Sequence, residues 1–200
     1  VIVSRKLPEV TFLKDKEILE KAGEYDVLLI GPGLGNRQFE YYQLPATVID
    51  GDGLKWHDKF KGNAILTPHP GEMSKLTGLT INEIQSDREK IALKFAKKWN
   101  KIVVLKGANT VIAQPQGEIK ISPFANPALA TAGTGDVLAG IISGLLAQGL
   151  SLFDASCVGV YLHGLAGEIA RKKIGDVGVI ASDLLPILPK TIQHIRTSNQ

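Results

Sequence analysis

Asp26-Val27-Leu28-Leu29-Ile30 is an unbroken apolar run that stops in Gly31-Pro32-Gly33-Leu34-Gly35, and this pairing constrains the fold more than any other feature of the chain. A strand that is apolar on both faces has to be covered on both, as in a parallel sheet flanked by helices. Thr47-Val48-Ile49-Asp50, Ala64-Ile65-Leu66 and Ile102-Val103-Val104-Leu105 repeat the pattern, each ending in turn-forming or polar residues. Open α/β sheets bind ligands beyond the carboxyl ends of such strands, and glycine there lets a ligand approach the backbone. A tight strand-to-helix turn needs glycine as well, so this signal alone does not choose between the two. Residues 14–22 read as a short amphipathic helix with Ile18 and Leu19 inward. Ser86-Asp87-Arg88-Glu89 reads as a capping box opening a helix to about Trp99, with Ile91, Leu93, Phe95 and Trp99 as core candidates. Val111-Ile112-Ala113 and Glu118-Ile119-Lys120-Ile121 flank Pro115-Gln116-Gly117 as a hairpin.

Ala130-Thr131-Ala132-Gly133-Thr134-Gly135-Asp136 runs directly into the apolar helix pattern of residues 137–146. Small residues opening a buried helix leave bare amide N–H groups and the positive end of a dipole, which suits phosphate. Thr134 or Asp136 is placed to cap that helix, or Asp136 is a base beside a transferring phosphoryl group; spacing leaves both open. Thr67-Pro68-His69-Pro70-Gly71-Glu72 holds an imidazole between two prolines, with Pro70 suited to a first helical turn and Glu72 near its amino end. A rigid turn with a dipole-favoured acid is the plainer account. Asp50 and Asp52 suit a metal, a polar substrate or a solvated turn. Gly140, Ser143, Gly144, Gly159, Gly164 and Gly167 predict two closely packed helices over residues 136–148 and 154–172. Tyr161 and His163 read as satisfied core or edge groups. A short helix from Ala181-Ser182-Asp183, punctuated by Pro186 and Pro189, ends the chain with a polar tail after Arg196.

Two hundred residues, 44% of them hydrophobic, fit one α/β domain. A net charge of +3 does not call for a nucleic-acid partner. Lys90, Lys94, Lys97, Lys98 and Lys101 read as a solvated helix face. The longest apolar run, residues 137–147, is too short for a ~20-residue membrane span. The single cysteine, Cys157, excludes an internal disulfide and is compatible with a cytoplasmic location; it reads as a small core residue.

Four segments occur together in one order: Gly31-Pro32-Gly33-Leu34-Gly35, Thr67-Pro68-His69-Pro70-Gly71-Glu72, Lys106-Gly107-Ala108-Asn109-Thr110, and residues 126–136 from Asn126 to Asp136. Together they resemble the ADP-dependent NAD(P)H-hydrate dehydratases of the ribokinase-like superfamily, over about residues 26–185. The resemblance implies a three-layer α/β/α sandwich with a mainly parallel central sheet. It also implies repair of hydrated NADH or NADPH, with ADP as co-substrate, leaving as AMP and phosphate, and ATP as an alternative donor. Hydroxide is a poor leaving group, so a fold that first phosphorylates the substrate hydroxyl can run a dehydration. The resemblance makes Asp136 the base at that hydroxyl. It assigns the adenine nucleotide to Lys106, Gly107, Ala108, Asn109, Thr110, Asn126, Thr131, Gly133, Thr134 and Gly135, with N–H groups from Gly133 to Gly135 on the phosphoryl oxygens. Gly33 and His69 would contact the hydrated dinucleotide, and Glu72 would help position Mg2+, through water. Ala125, Ala128-Leu129 and Ala132 depart from the family's more glycine-rich reading by small-for-small or apolar-for-apolar changes.

The chain opens Val1-Ile2-Val3, and the family domain begins with further strands and a glycine-rich substrate loop. The expectation is therefore one domain over residues 1–200 that lacks its N-terminal part and is fused to or paired with an NAD(P)H-hydrate epimerase; the resemblance also implies a homo-oligomer. Two other readings use the same residues. One is a small-molecule kinase of the same superfamily, of hydroxymethylpyrimidine or hydroxyethylthiazole type; the other is a non-catalytic adenine-nucleotide-binding module.

Overall fold

The four apolar runs pair edge to edge in chain order as parallel strands: β1 (Val27–Ile30), β2 (Ala46–Ile49), β3 (Ala64–Leu66) and β4 (Ile102–Leu105). The hairpin β5 (Val111–Ala113) and β6 (Ile119–Ile121) continues the sheet antiparallel, giving the order β1-β2-β3-β4-β5-β6. These coordinates are a computed structural model and describe residues 21–35 and 45–198. The helix expected over residues 14–22, with Ile18 and Leu19, falls almost wholly outside the described residues, as does whatever lies near Val1.

Alternation along each strand distributes the sheet between two cores. Val48, Ile65, Ile102, Val104 and Ile112 point to one face, where α4 (Thr134–Ala147) and α5 (Leu152–Ile174) bring Leu138, Ala139, Ile142, Ala155 and Val160. Val103, Leu105, Val111 and Ala113 point to the other, covered by α1 (Pro70–Thr77), α2 (Ile81–Ser86) and α3 (Arg88–Trp99) through Met73, Ile84, Ala92, Phe95 and Ala96. The sandwich of helices, mainly parallel sheet and helices is the architecture expected. α6 (Ala181–Leu184) and α7 (Leu188–Ser198) follow, with Leu184 and Ile187 packed on Ala166 and Ala170 of α5. Pro189 lies in the first turn of α7 instead of interrupting a helix, as the missing N–H of proline permits.

Several local expectations are corrected. The cap of α3 is Asp87, whose side chain accepts from the Lys90 N–H, and not Ser86. The reciprocal capping box stands earlier, between Thr80 and Glu83, and opens α2. Lys101 is no part of the solvated lysine face: it is 8% exposed, and its ammonium reaches the Trp99 carbonyl at 3.4 Å. Of the small residues expected between α4 and α5, Gly159 lies against Ile142, whereas Gly164 receives the ring of Phe124 and Gly167 the side chain of Leu129. Gly140 and Gly144 have no described atom against the position of a side chain.

Candidate active site

Because β2, β3 and β4 are parallel, their carboxyl ends deliver Asp50, Thr67 and Lys106 to one end of the sheet. Asp50, 2% exposed, accepts from the Lys106 ammonium at 2.6 Å and from the Thr67 hydroxyl at 2.6 Å, both on Oδ1. The pair Asp50–Asp52 divides here. β2 ends at Ile49, and Asp52 turns away to accept from the Gly35 N–H at 2.9 Å. Gly31 explains how the β1 turn can lie so close: at φ +124°, an added Cβ would stand 1.7 Å from the Asp50 carbonyl oxygen.

His69 is the N-cap of α1. Its Nδ1 accepts from the Gly71 and Glu72 N–H groups at 3.0 and 3.2 Å, while Glu72 Oε2 accepts from the His69 N–H at 2.7 Å. The two prolines therefore hold an imidazole that completes a capping box, and with Nδ1 accepting, Nε2 carries the ring proton. That edge of the ring is exposed, 3.6 Å from Glu72 Oε1. Glu72 Oε2 also faces the Lys106 ammonium at 3.7 Å.

The amino end of α4 meets this cluster. Neither Thr134 nor Asp136 caps it: the helix has no side-chain cap, and the Thr134 hydroxyl turns back to the carbonyls of Leu129 and Thr131 at 2.7 and 2.8 Å. The Thr134 N–H points to the Thr131 carbonyl at 3.3 Å, and the first helical return bond is Val137 N–H to the Gly133 carbonyl at 3.2 Å. The N–H groups of Gly135 and Asp136 thus lie in the first turn without a helical acceptor. Asp136 itself is exposed and has no side-chain hydrogen bond or ion pair with any described residue. Gly135 stands against the ammonium: an added Cβ would lie 3.2 Å from Lys106 Nζ and 4.0 Å from Asp50 Oδ2.

These groups line one cavity of about 760 Å³, together with Gly107, Ala108, Thr110, Asn126, Thr131 and Gly133. That volume suits a mononucleotide-sized ligand. Two of the expected site residues are not on its wall. Asn109, left-handed at φ 52°, ties its loop to the segment after β6 through the Phe124 and Ser122 carbonyls. Gly33 is exposed in the turn after β1. Asn126 lines the cavity and caps the turn of Pro127–Ala130 by accepting from the Ala128 N–H at 2.9 Å.

Three contributions were not legible in the sequence. Arg88 reaches from α3 to the Leu105 and Lys106 carbonyls at 2.8 and 3.4 Å, and pins the strand end behind the Lys106 loop. Thr67 orients the Asp50 carboxylate. His163, expected to be a satisfied core or edge group, is 9% exposed with Nε2 lacking a partner among the described residues. Burial first, and the Lys106 charge after it, push its pKa down to about 4 against a hydrogen bond to the Thr134 backbone.

Comparison with known proteins shows the family of the chain. The chain is 44% identical over 194 residues to the bifunctional NAD(P)H-hydrate repair enzyme Nnr of Moorella thermoacetica, covering 89% of this chain and 36% of that protein. It is 36% identical over 197 residues to the ADP-dependent (S)-NAD(P)H-hydrate dehydratase of Bacillus subtilis, covering 92% of this chain and 71% of that one. The crystal structure of the ADP/ATP-dependent NAD(P)H-hydrate dehydratase from Bacillus subtilis, co-crystallized with ATP/Mg2+, superposes with a TM-score of 0.84 at 33% identity, over 96% of this chain and 74% of that chain. The chain thus spans a little over a third of the length of the bifunctional relative. Residues 2–190 match the family model described as NAD(P)H-hydrate dehydratase, and on this match and these identities the chain belongs to the NAD(P)H-hydrate dehydratase family.

Proposed function

We propose that the protein containing this chain dehydrates hydrated NADH or NADPH at the expense of ADP, releasing AMP and phosphate. The observation that carries this reading is the Asp136 carboxylate, without a partner among the described residues, one residue beyond Gly135 on the same cavity wall as the Lys106 ammonium and the first-turn amides of α4. A base and an anion hole side by side are what transfer of a phosphoryl group to an alcohol requires. Asp136 takes the proton of the substrate hydroxyl as its oxygen attacks the β-phosphorus of ADP, and the bond to the departing AMP breaks. Loss of phosphate from the phosphorylated carbon, with a proton from its neighbour, restores the ring double bond.

Gly135 and Asp136 N–H groups and Lys106 would face the phosphoryl oxygens, and Gly107, Ala108, Thr110, Asn126, Thr131 and Gly133 the rest of the nucleotide. His69 would present Nε2–H to the hydrated dinucleotide, with Gly33 on the turn beyond; Asn109 would hold the nucleotide loop in shape. Among the described residues no group of three or more His, Cys, Asp or Glu could hold a metal. Mg2+ needs only one or two carboxylates besides phosphate and water oxygens. Glu72 beside the anion hole therefore fits a metal that arrives with the nucleotide, and such a metal would neutralise phosphate charge. A fused or partner epimerase fits the bifunctional naming of the relatives.

The protein supplied with hydrated NADH, Mg2+ and ADP should regenerate absorbance at the reduced-nicotinamide band, with the rate in ADP compared against ATP. No recovery with either donor rejects the reading, and a stable phosphorylated alcohol as product selects the small-molecule kinase instead.

A further inference from the structure

We infer that Asp50 is a positioning residue for the nucleotide site: it fixes the Lys106 ammonium against the amino end of α4, so that one cation and the Gly135 and Asp136 amides address the same phosphate group. This rests on the nucleotide reading above. Asp50 comes from the end of β2 and Lys106 from the end of β4, 56 residues later, and β3 lies between them. The intervening strand closes the gap with Thr67, whose hydroxyl shares Oδ1 with the ammonium at 2.6 Å. The backbone on either side is held as well. The Asp50 N–H donates to the Ile30 carbonyl at 3.0 Å, and the Lys106 N–H to the Pro68 carbonyl at 2.8 Å.

A long lysine side chain in water samples many rotamers, and holding one geometry costs entropy that the protein has paid before ligand arrives. Here the ammonium has two carboxylates beside it, Asp50 at 2.6 Å and Glu72 at 3.7 Å. Gly135 lies against it as well, at a position in the first turn of α4 where the missing Cβ leaves room for it. A buried ion pair is poor value for stability, because desolvation offsets its attraction. Its use here is direction: the chain retains a carboxylate at 2% exposure where its charge sets the place of a second charge. Asp50 lines the cavity but is only 2% exposed, and its Oδ1 is taken up by the Lys106 ammonium and the Thr67 hydroxyl, so the effect proposed for it on a ligand passes through the Lys106 side chain.

The test is a double-mutant cycle read by calorimetric titration of ADP, with EDTA present so that no metal ligand is being measured. Asp50→Asn should weaken ADP binding about tenfold in the parent protein and have little effect in the Lys106→Met background. Thr67→Val, which keeps both charges, should weaken it about threefold, again only where Lys106 is present. Equal losses with and without Lys106, or a loss seen only when Mg2+ replaces EDTA, would overturn the proposal while leaving the nucleotide reading intact. Lowered thermal stability with unchanged affinity would overturn it too. A parent protein that binds no ADP at all rejects the nucleotide reading and this proposal with it.

Discussion

His163 ties the stability of the fold to pH by an amount the structure sets. The ring is buried on α5 behind the amino end of α4, and its pKa falls from 6.5 to about 4 chiefly because burial disfavours the charged form. The Lys106 charge adds to the fall, and the Thr134 backbone bond opposes it. In the unfolded chain the same imidazole protonates at its ordinary value. As pH drops through the interval between the two values, the unfolded state binds a proton that the folded state refuses, and stability declines. Above about pH 6.5 the effect is nearly absent; below pH 4 it is fully developed. One-site linkage with these two values removes about 2 kcal/mol between pH 7 and pH 5, and about 3 kcal/mol by pH 4. For a domain stable by about 5–15 kcal/mol this is a large share. The assay is urea unfolding at pH 7, 6, 5 and 4, comparing the parent with His163→Asn, which keeps an N–H donor near the place of Nδ1 and does not titrate. His57, also lowered by burial, and the carboxylates contribute equally to both proteins, so the difference in slope isolates His163. The variant will start less stable, through lost packing, but its curve should be flatter by about 2 kcal/mol between pH 7 and pH 5. Parallel curves would refute the reasoning, since they would mean that the buried ring takes up its proton in the folded state.

Asp136→Asn should bind ADP as the parent does and lose about 10²–10⁴-fold in dehydration rate, the usual contribution of a positioned base; near-normal turnover removes Asp136 from that role. Gly135→Ala places a methyl 3.2 Å from Lys106 Nζ. It should weaken ADP binding about fivefold while stability by urea unfolding stays within about 1 kcal/mol, because alanine favours the helix; unchanged affinity would show that the ammonium is not needed at that place. Gly31→Ala meets the Asp50 carbonyl oxygen at 1.7 Å and a φ of +124°. It should cost about 3 kcal/mol or more in urea unfolding, and a loss below about 1 kcal/mol would refute the close approach of the two turns.

The strands and their ends were legible because the information is local. Four short apolar runs, each followed by glycine, proline or polar residues, read as parallel strands, and all four pair so; β2, β3 and β4 are buried as expected, whereas β1, at the edge of the sheet among the described residues, leaves Leu29 38% exposed. The hairpin announced itself through Pro115-Gln116-Gly117, and the family through four motifs whose order no single motif could have supplied. Local reasoning failed where two chemistries compete for one side chain. Thr134 and Asp136 both look like caps, yet the Thr134 hydroxyl is drawn to two carbonyls of the preceding turn and Asp136 has no partner among the described residues. Ser86 and Asp87 are equally good cap residues one position apart, and the helix begins after the second. Asn109 carries the composition of a ligand loop, but it lies off the cavity wall, with a left-handed backbone and two bonds to the segment after β6.

The sequence by itself determined the class of fold, the family, and which loops would gather at one end of the sheet, since each of these follows from short-range pattern. The tertiary structure alone decided which charges meet. Asp50 parts from Asp52 and reaches Lys106, 56 residues away; Arg88 reaches back under the strand end; and His163 closes on Thr134 from another helix. Such pairs depend on strand order, register and helix packing, which are fixed by the summed burial of two cores and leave no mark on the spacing of the residues they bring together.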